Sequence, residues 1–156
     1  GDLKKILFQN FETKPVETPR NADMAFDFSD SKLLIVDDSL DNQLIVSHLL
    51  RKTGVHIDTA NNGRECVEKA LLNHYDLILM DLQMPVLDGY GAVLELKKMG
   101  YTKPVIALTA HAMKEERVRC LESGFADHLS KPVDRQLLIK VIAQHTQNRG
   151  AISATL

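Results

Sequence analysis

From Ser31 onward one pattern repeats along the chain: a short apolar run, then a longer stretch with apolar residues at helical spacing. The runs "KLLIV" (32–36), "VHIDTA" (55–60), "DLILM" (76–80), "PVIAL" (104–108) and "ADHLS" (126–130) predict five strands. The spacing between and after them predicts helices over 40–53, 63–73, 88–99, 111–123 and 133–146. In the first helix, Leu40, Leu44, Leu49 and their neighbours recur at three- and four-residue steps, and Gly54 stands where a C-terminal cap belongs. Gly124 closes the fourth in the same way. The first, third and fourth runs are apolar throughout, as strands covered by helices on both faces tend to be. Right-handed crossovers between such strands give an α/β domain, a doubly wound parallel sheet of five strands with five flanking helices. The strand order 2-1-3-4-5 suits five strands best and places ligands beyond the carboxyl ends of strands 1 and 3.

Residues 1–30 do not share this pattern. "LKKILFQNF" fits a short amphipathic helix, and the polar, proline-containing "ETKPVETPRNAD" after it reads as a linker. This arm is expected to be loosely packed, as a linker or the end of a preceding domain, with one folded domain over 31–147 and a tail over 148–156. The chain opens on Gly1 rather than Met, which suggests a piece of something larger.

Composition narrows the classes of partner. The chain is 44% apolar and 26% charged with a formal net charge of -2, so it offers no general attraction to nucleic acid or acidic lipid. No direct nucleic-acid or membrane contact is expected. No apolar run approaches the roughly 18–20 residues of a membrane span, and no signal peptide is visible. Cys66 and Cys120 stand singly without metal-ligand spacing, which reads as buried free thiols in a reducing, cytoplasmic compartment. His48, His56, His74 and His145 are scattered without ligand spacing and read as surface or half-buried residues. Among these, His48 lies on the first helix, where a partner could meet it. Met80, Met84, Met99 and Met113 read as core or loop packing.

The strand ends carry the candidate chemistry. Strand 1 runs into Asp37 and Asp38, strand 3 into Asp81, strand 4 into Thr109, and strand 5 into Lys131. Singly, each has an ordinary explanation: an acid pair after a strand is commonly a turn or helix cap, and Asp81 could cap the turn before Pro85. Together, all reach one edge of the predicted sheet. Two carboxylates about 4 Å apart repel by roughly 4 kcal/mol at an effective dielectric of 20, so three clustered acids require neutralisation. Lys131 supplies one positive charge, and a divalent cation with hard oxygen ligands supplies the rest: Mg²⁺ by preference, with Mn²⁺ also acceptable. A carboxylate beside such a metal and a lysine can attack a phosphoryl group. Asp81, the lone acid on the central strand, is the best nucleophile, with Asp37, Asp38 and the backbone carbonyl of Gln83 completing the metal shell.

"LLIVDDSLDNQLIV", "DLILMDLQMPVLDGY", "PVIALTAHAM" and "HLSKPVD" resemble, in order and spacing, the signature regions of the receiver domain of two-component response regulators. "DDSLDN", with Asn42, and "TAHAM" look most like receivers of hybrid sensor histidine kinases. The resemblance covers about residues 31–147 and implies a flavodoxin-like fold. It implies that Asp81 accepts a phosphoryl group from a histidine kinase or histidine phosphotransfer protein. Mg²⁺ would sit at Asp37, Asp38, Asp81 and the Gln83 carbonyl, with Thr109 and Lys131 holding phosphoryl oxygens. The resemblance also implies a cis peptide between Lys131 and Pro132, and a switch coupling Thr109 to the strand-5 position occupied here by His128. Gln83 and His111 become modulators of the phosphoryl lifetime. The first helix is the implied docking surface for the histidine donor. The face of the fourth helix, fifth strand and fifth helix is the implied surface for homodimers or partners.

Other readings stay open at this point. A degenerate receiver would serve only as a docking module, and the receiver could belong to a stand-alone regulator. A phosphatase of the haloacid dehalogenase type also uses a strand-end aspartate with Mg²⁺, but it needs a second acid two residues later for proton transfer. Gln83 holds that place, so slow dephosphorylation rather than fast turnover is expected. A nucleotide-binding fold is disfavoured because acids, not a glycine-rich turn, follow strand 1.

Overall fold

The computed structural model describes residues 27–110 and 113–146. The expected arm and linker up to residue 26, His111, and the tail over 148–156 lie outside the described residues.

The chain alternates strand and helix as its pattern predicts. The order is β1 (Lys32–Val36), α1 (Leu40–Leu49), a 3₁₀ turn (Arg51–Thr53), β2 (His56–Ala60), α2 (Gly63–Leu72), β3 (Leu77–Asp81), α3 (Gly89–Lys98), β4 (Val105–Thr109), α4 (Lys114–Ser123), β5 (Asp127–Ser130) and α5 (Arg135–Thr146). All strand pairs are parallel, and the sheet order is β2-β1-β3-β4-β5. Strand alternation splits the core in two. Leu34, Val36, Ile78, Met80 and Ala107 face α2, α3 and α4. Leu33, Ile35, Leu77, Leu79 and Leu108 face α1 and α5. Each of the larger of these side chains, Ala107 apart, is worth about 1.5–3 kcal/mol when fully buried, so the sheet is anchored on both faces.

Three details differ from the sequence reading. First, β3 and β4 each extend one residue further than the apolar runs. Asp81 pairs in register with Leu108, and the next amide, Leu82 N–H, still donates to the Leu108 carbonyl at 3.2 Å. Asp81 and Thr109 are therefore the last residues of their strands, held by the sheet rather than by loops.

Second, the helix expected over 40–53 breaks at Leu50. The Thr53 hydroxyl and amide both take the Leu50 carbonyl, at 2.7 and 3.0 Å, so side chain and backbone together close a tighter turn. Gly54 caps that turn at φ 76, while Gly124 caps α4 at φ 115 as expected. The buried stripe of α1 is Gln43, Val46 and Leu50, whereas Leu40, Leu44 and Ile45 are exposed. The helix is apolar around most of its girth, so periodicity alone does not choose the face.

Third, Met80 and Met84 pack against the core, but Met99 and Met113 are exposed because each lies at a helix boundary. Cys66 and Cys120 are free and buried, and burial raises the Cys66 thiol to about 12, so it is unreactive at neutral pH.

The loops at the carboxyl end of the sheet are locked together at Gly63. Its N–H donates to the Leu87 carbonyl at 2.9 Å, and a Cβ there would fall 2.2 Å from that oxygen. Gly63→Ala is therefore expected to lower stability by roughly 1–3 kcal/mol, because neither backbone can yield without moving α2 or the β3–α3 loop. Chemical denaturation checks this, with an unchanged midpoint as the contrary result.

Candidate functional site

Three of the helices begin at a polar cap: two shortly after the carboxyl ends of β1 and β2, and α3 after the longer loop that follows β3. Ser39 Oγ accepts from Asn42 N–H at 3.3 Å, Asn62 Oδ1 from Glu65 N–H at 2.8 Å, and Asp88 Oδ1 from Gly91 N–H at 2.8 Å. The caps at Ser39 and Asn62 end their loops early, and the strand ends open onto a common cleft. A cleft of about 460 Å³ is lined by Asp81, Gln83, Met84, Tyr90, Thr109 and Lys131, among others.

Asp37, Asp38 and Asp81 each bring a carboxylate oxygen within 4.8 Å of the other two. Asp37 and Asp81 are buried at 1% and 8% exposure, and Asp38 is open to solvent. Lys131 Nζ lies 3.3 Å from Asp37 Oδ2 and 3.3 Å from Asp81 Oδ1, bridging the two buried acids. Three carboxylates against one bridging ammonium leave two formal negative charges at the site. Burial pushes the Asp81 carboxyl above its ordinary value; Lys131 pulls it down and Asp37 pushes it further up. The arrangement matches a divalent cation in both charge and ligand type: hard oxygens, one buried wall and one open side.

The expected site residues among those described take these places. Asp37, Asp38, Asp81 and Lys131 are brought together. Thr109 is 4% exposed at the end of β4, and its carbonyl accepts the Lys131 amide at 2.8 Å, which stitches β4 to the loop after β5. The Gln83 amide donates to Asp81 Oδ1 at 3.3 Å. The Lys131–Pro132 peptide is cis, as the resemblance implied. His128 is half-buried on β5, with its Nδ1 3.8 Å from Asp127 Oδ1. Ala107 pairs with His128 and Thr109 with Ser130, so Thr109 and His128 share one face of the sheet without touching in register. On α5, His145 Nε2 lies 3.3 Å from Asp127 Oδ2, so His145 is engaged rather than a bystander.

Sequence reading passed over several residues that the fold brings to the site. Gln43, at 3% exposure, directs its Nε2 at the Asp37 carbonyl at 2.7 Å, Asn61 Oδ1 at 3.0 Å and the Ala60 carbonyl at 3.3 Å. Its signal was a polar residue on a helical stripe with Val46 and Leu50. Asn42, singled out only by family likeness, donates to Asp37 Oδ1 at 3.4 Å. On the far rim, the Tyr90 hydroxyl donates to the Glu116 carboxylate, and the Arg119 guanidinium lies 4.0 Å over the Tyr90 ring. Nothing local in the sequence marks that contact, because α3 and α4 meet only in the fold. Val86, at φ 71 and 79% exposed, centres a tight turn in which Leu87 N–H donates to the Pro85 carbonyl at 2.7 Å. A β-branched residue in that backbone region is strained by about 1–3 kcal/mol.

Comparison with known proteins agrees with this geometry. The sequence model of the response regulator receiver domain matches residues 33–143. The sensor histidine kinase RcsC of Escherichia coli K12 is 36% identical over 121 residues, covering 78% of this chain and 13% of RcsC. The hybrid signal transduction histidine kinase I of Dictyostelium discoideum is 38% identical over 122 residues, 71% of this chain and 7% of the kinase. The chain thus spans only a small part of the curated relatives it matches. Among solved structures, the receiver domain of the Pseudomonas aeruginosa PAO1 sensor histidine kinase PA1611 superposes with a TM-score of 0.69 at 36% identity, covering 74% of this chain and 97% of that one. That structure has a magnesium ion coordinated in its active-site cleft. The receiver domain of the Francisella response regulator 1452 gives a TM-score of 0.72 at 29% identity, over 76% of this chain and 98% of the other.

Proposed function

Since the chain belongs to the response regulator receiver-domain family, we propose that Asp81 is its phosphoacceptor and that the acid cluster holds the Mg²⁺ on which acceptance depends. The single observation that carries this reading is the buried Asp81 carboxylate, bridged by Lys131 to Asp37 with Asp38 alongside. An Asp81 oxygen forms the new O–P bond as the P–N bond of a phosphohistidine breaks, and the electron pair stays on the imidazole nitrogen. Lys131 Nζ, already beside Asp81, follows the charge that develops on the phosphoryl oxygens, and the Thr109 hydroxyl takes one of them as a donor. Asp37, Asp38, Asp81 and the Gln83 carbonyl would hold Mg²⁺, which when bound neutralises the carboxylates and the transferring oxygens. Gln83 stands where a phosphatase would carry its second acid, and an amide does not take a proton from water, which favours a lasting acyl phosphate over turnover.

The rest of the signalling circuit follows from the same reading. Thr109 and His128, on one face of the sheet, form the switch from the site to the α4–β5–α5 surface, the candidate surface for a homodimer. Gln83 and His111 set the lifetime of the acyl phosphate. Leu40, Leu44 and Ile45 are exposed on α1, and Val86 is exposed on the β3–α3 turn. These suit an apolar helical partner carrying the histidine, a histidine kinase or phosphotransfer domain. The proposed placement is cytoplasmic, beside such a donor; among the described residues no helix is long and apolar enough to cross a membrane.

The test is intact mass after incubation with a small-molecule phosphodonor, with and without Mg²⁺. A single phosphoryl adduct that forms only with the metal and outlasts the incubation is the expected result. Continuous release of inorganic phosphate over many turnovers would identify a phosphatase instead. No adduct from a folded, Mg²⁺-binding protein would identify a docking module.

A further inference from the structure

We infer that Gln43 is a positioning residue for both acids of the β1–α1 turn, and through them sets the affinity of the cluster for a divalent cation. This rests on the reading of Asp37, Asp38 and Asp81 as a cation site. Asp37 is held at every polar atom that the fold can reach. Its N–H donates to the Ala60 carbonyl at 3.1 Å; Oδ1 accepts from Ser39 N–H at 2.9 Å and from Asn42 at 3.4 Å; Oδ2 accepts from Lys131 at 3.3 Å. The carbonyl accepts from Gln43 Nε2 at 2.7 Å, the shortest bond of the set. That carbonyl belongs to the peptide joining Asp37 to Asp38. Because the peptide is planar, fixing its oxygen fixes the plane from which both side chains depart.

The same amide reaches Asn61 Oδ1 at 3.0 Å and the Ala60 carbonyl at 3.3 Å, so one side chain ties the β1–α1 turn to the β2–α2 turn. Two amide hydrogens serve three acceptors, all beneath the cluster. Packing alone does not call for an amide here. Gln43 lies on the buried stripe with Val46 and Leu50, at 3% exposure, where an apolar side chain of equal length would fit. What an apolar residue cannot supply is the donor to the Asp37 carbonyl. Asp38 depends on it most, since among the described residues the bridging lysine, Lys131, reaches Asp37 and Asp81 and leaves the exposed Asp38 carboxylate aside.

The experiment is calorimetric titration of the full chain with Mg²⁺, paired with metal-free thermal denaturation, for wild type, Gln43→Met, Gln43→Asn and Asp37→Asn. Gln43→Met keeps the length and removes the donor; Gln43→Asn keeps the amide but draws it back by one methylene, guarding against a variant that does not fold. Both are expected to weaken Mg²⁺ binding about tenfold or more, the usual consequence of losing a group that orients a metal ligand. A merely structural role would lower the metal-free melting temperature and leave the Mg²⁺ dissociation constant within about twofold of wild type, and that result in either folded variant overturns the inference. If wild type binds Mg²⁺, Asp37→Asn does not, and the Gln43 variants bind as wild type does, the cation site stands and only the role of Gln43 falls. If wild type binds no Mg²⁺, both fall.

Discussion

Lys131→Met is expected to cut phosphoryl acceptance by about 10²–10³, the usual cost of removing one donor aimed at developing negative charge. The same substitution lowers metal-free stability, and the two effects have one origin. Lys131 Nζ is the ammonium bridging Asp37 and Asp81, both buried, and its own side chain is only 25% exposed. Methionine fills the space of the stem but leaves the carboxylates facing one another. Breaking one side of such a pair costs about 2–3 kcal/mol here, less than a fully dry pair because the cleft is open on one side. Mg²⁺ should restore much of the lost stability, since it replaces the missing charge, yet little of the rate, since it does not replace the donor. Stopped-flow or mass-resolved phosphorylation kinetics read the first effect, and denaturation with and without Mg²⁺ reads the second. Equal loss of rate and stability in Lys131→Met with no Mg²⁺ rescue would remove the charge argument.

Asp81→Asn is expected to act in the opposite direction on stability while removing the acceptor. The Asp81 carboxyl is raised from its ordinary value of 3.8 by burial and by Asp37, against the pull of Lys131. A carboxyl raised in the folded state favours folding only in its protonated form. Below the unfolded value the group is neutral in both states and exacts no penalty. As pH rises through the folded value the carboxylate must ionise inside the cluster, and above it the full penalty is present. Asparagine never ionises, so the variant's advantage is near zero at about pH 4 and below and grows toward neutrality. Metal-free melting temperature against pH reads this, with the variant level with wild type at about pH 4 and melting above it at neutral pH. Saturating Mg²⁺ should narrow the gap, because it stabilises the wild-type cluster more than the variant's. A variant less stable than wild type at every pH would contradict the picture of a carboxylate held under strain of charge.

These expectations depend on a fold that was largely visible in the sequence. Continuous apolar runs identify β1, β3 and β4 because burial on both faces leaves no room for polar alternation. The acids were visible because nothing in an apolar run explains them. Less visible was how the site is supported. Asp81 and Thr109 were legible as strand-end residues, but the apolar runs stop one residue short of them, whereas the strands include both. The buried face of α1 could not be chosen, because Leu40, Leu44 and Ile45 mimic a core stripe while remaining exposed. Gln43 went unnoticed for the same reason: its importance lies in two turns brought together by the pairing of β1 with β2, a contact between residues far apart in the chain. The Tyr90–Glu116 contact between α3 and α4 is likewise a product of tertiary packing.

The exposed apolar rim raises a question of economy. Leu40, Leu44, Ile45 and Val86 keep large hydrophobic surfaces in water beside a strongly anionic cleft. Val86 does so from a strained backbone. Both features lower stability in isolation, and the apolar helical partner proposed above would offset that cost by taking these side chains out of water.

The measurement closest to the central claim is localisation of the phosphoryl group by peptide mass mapping after Mg²⁺-dependent phosphorylation, with the acyl phosphate trapped chemically before digestion. The account predicts one modified residue, Asp81, and no adduct on the Asp81→Asn protein. A phosphoryl group on any other residue, or an adduct that survives in Asp81→Asn, would contradict it.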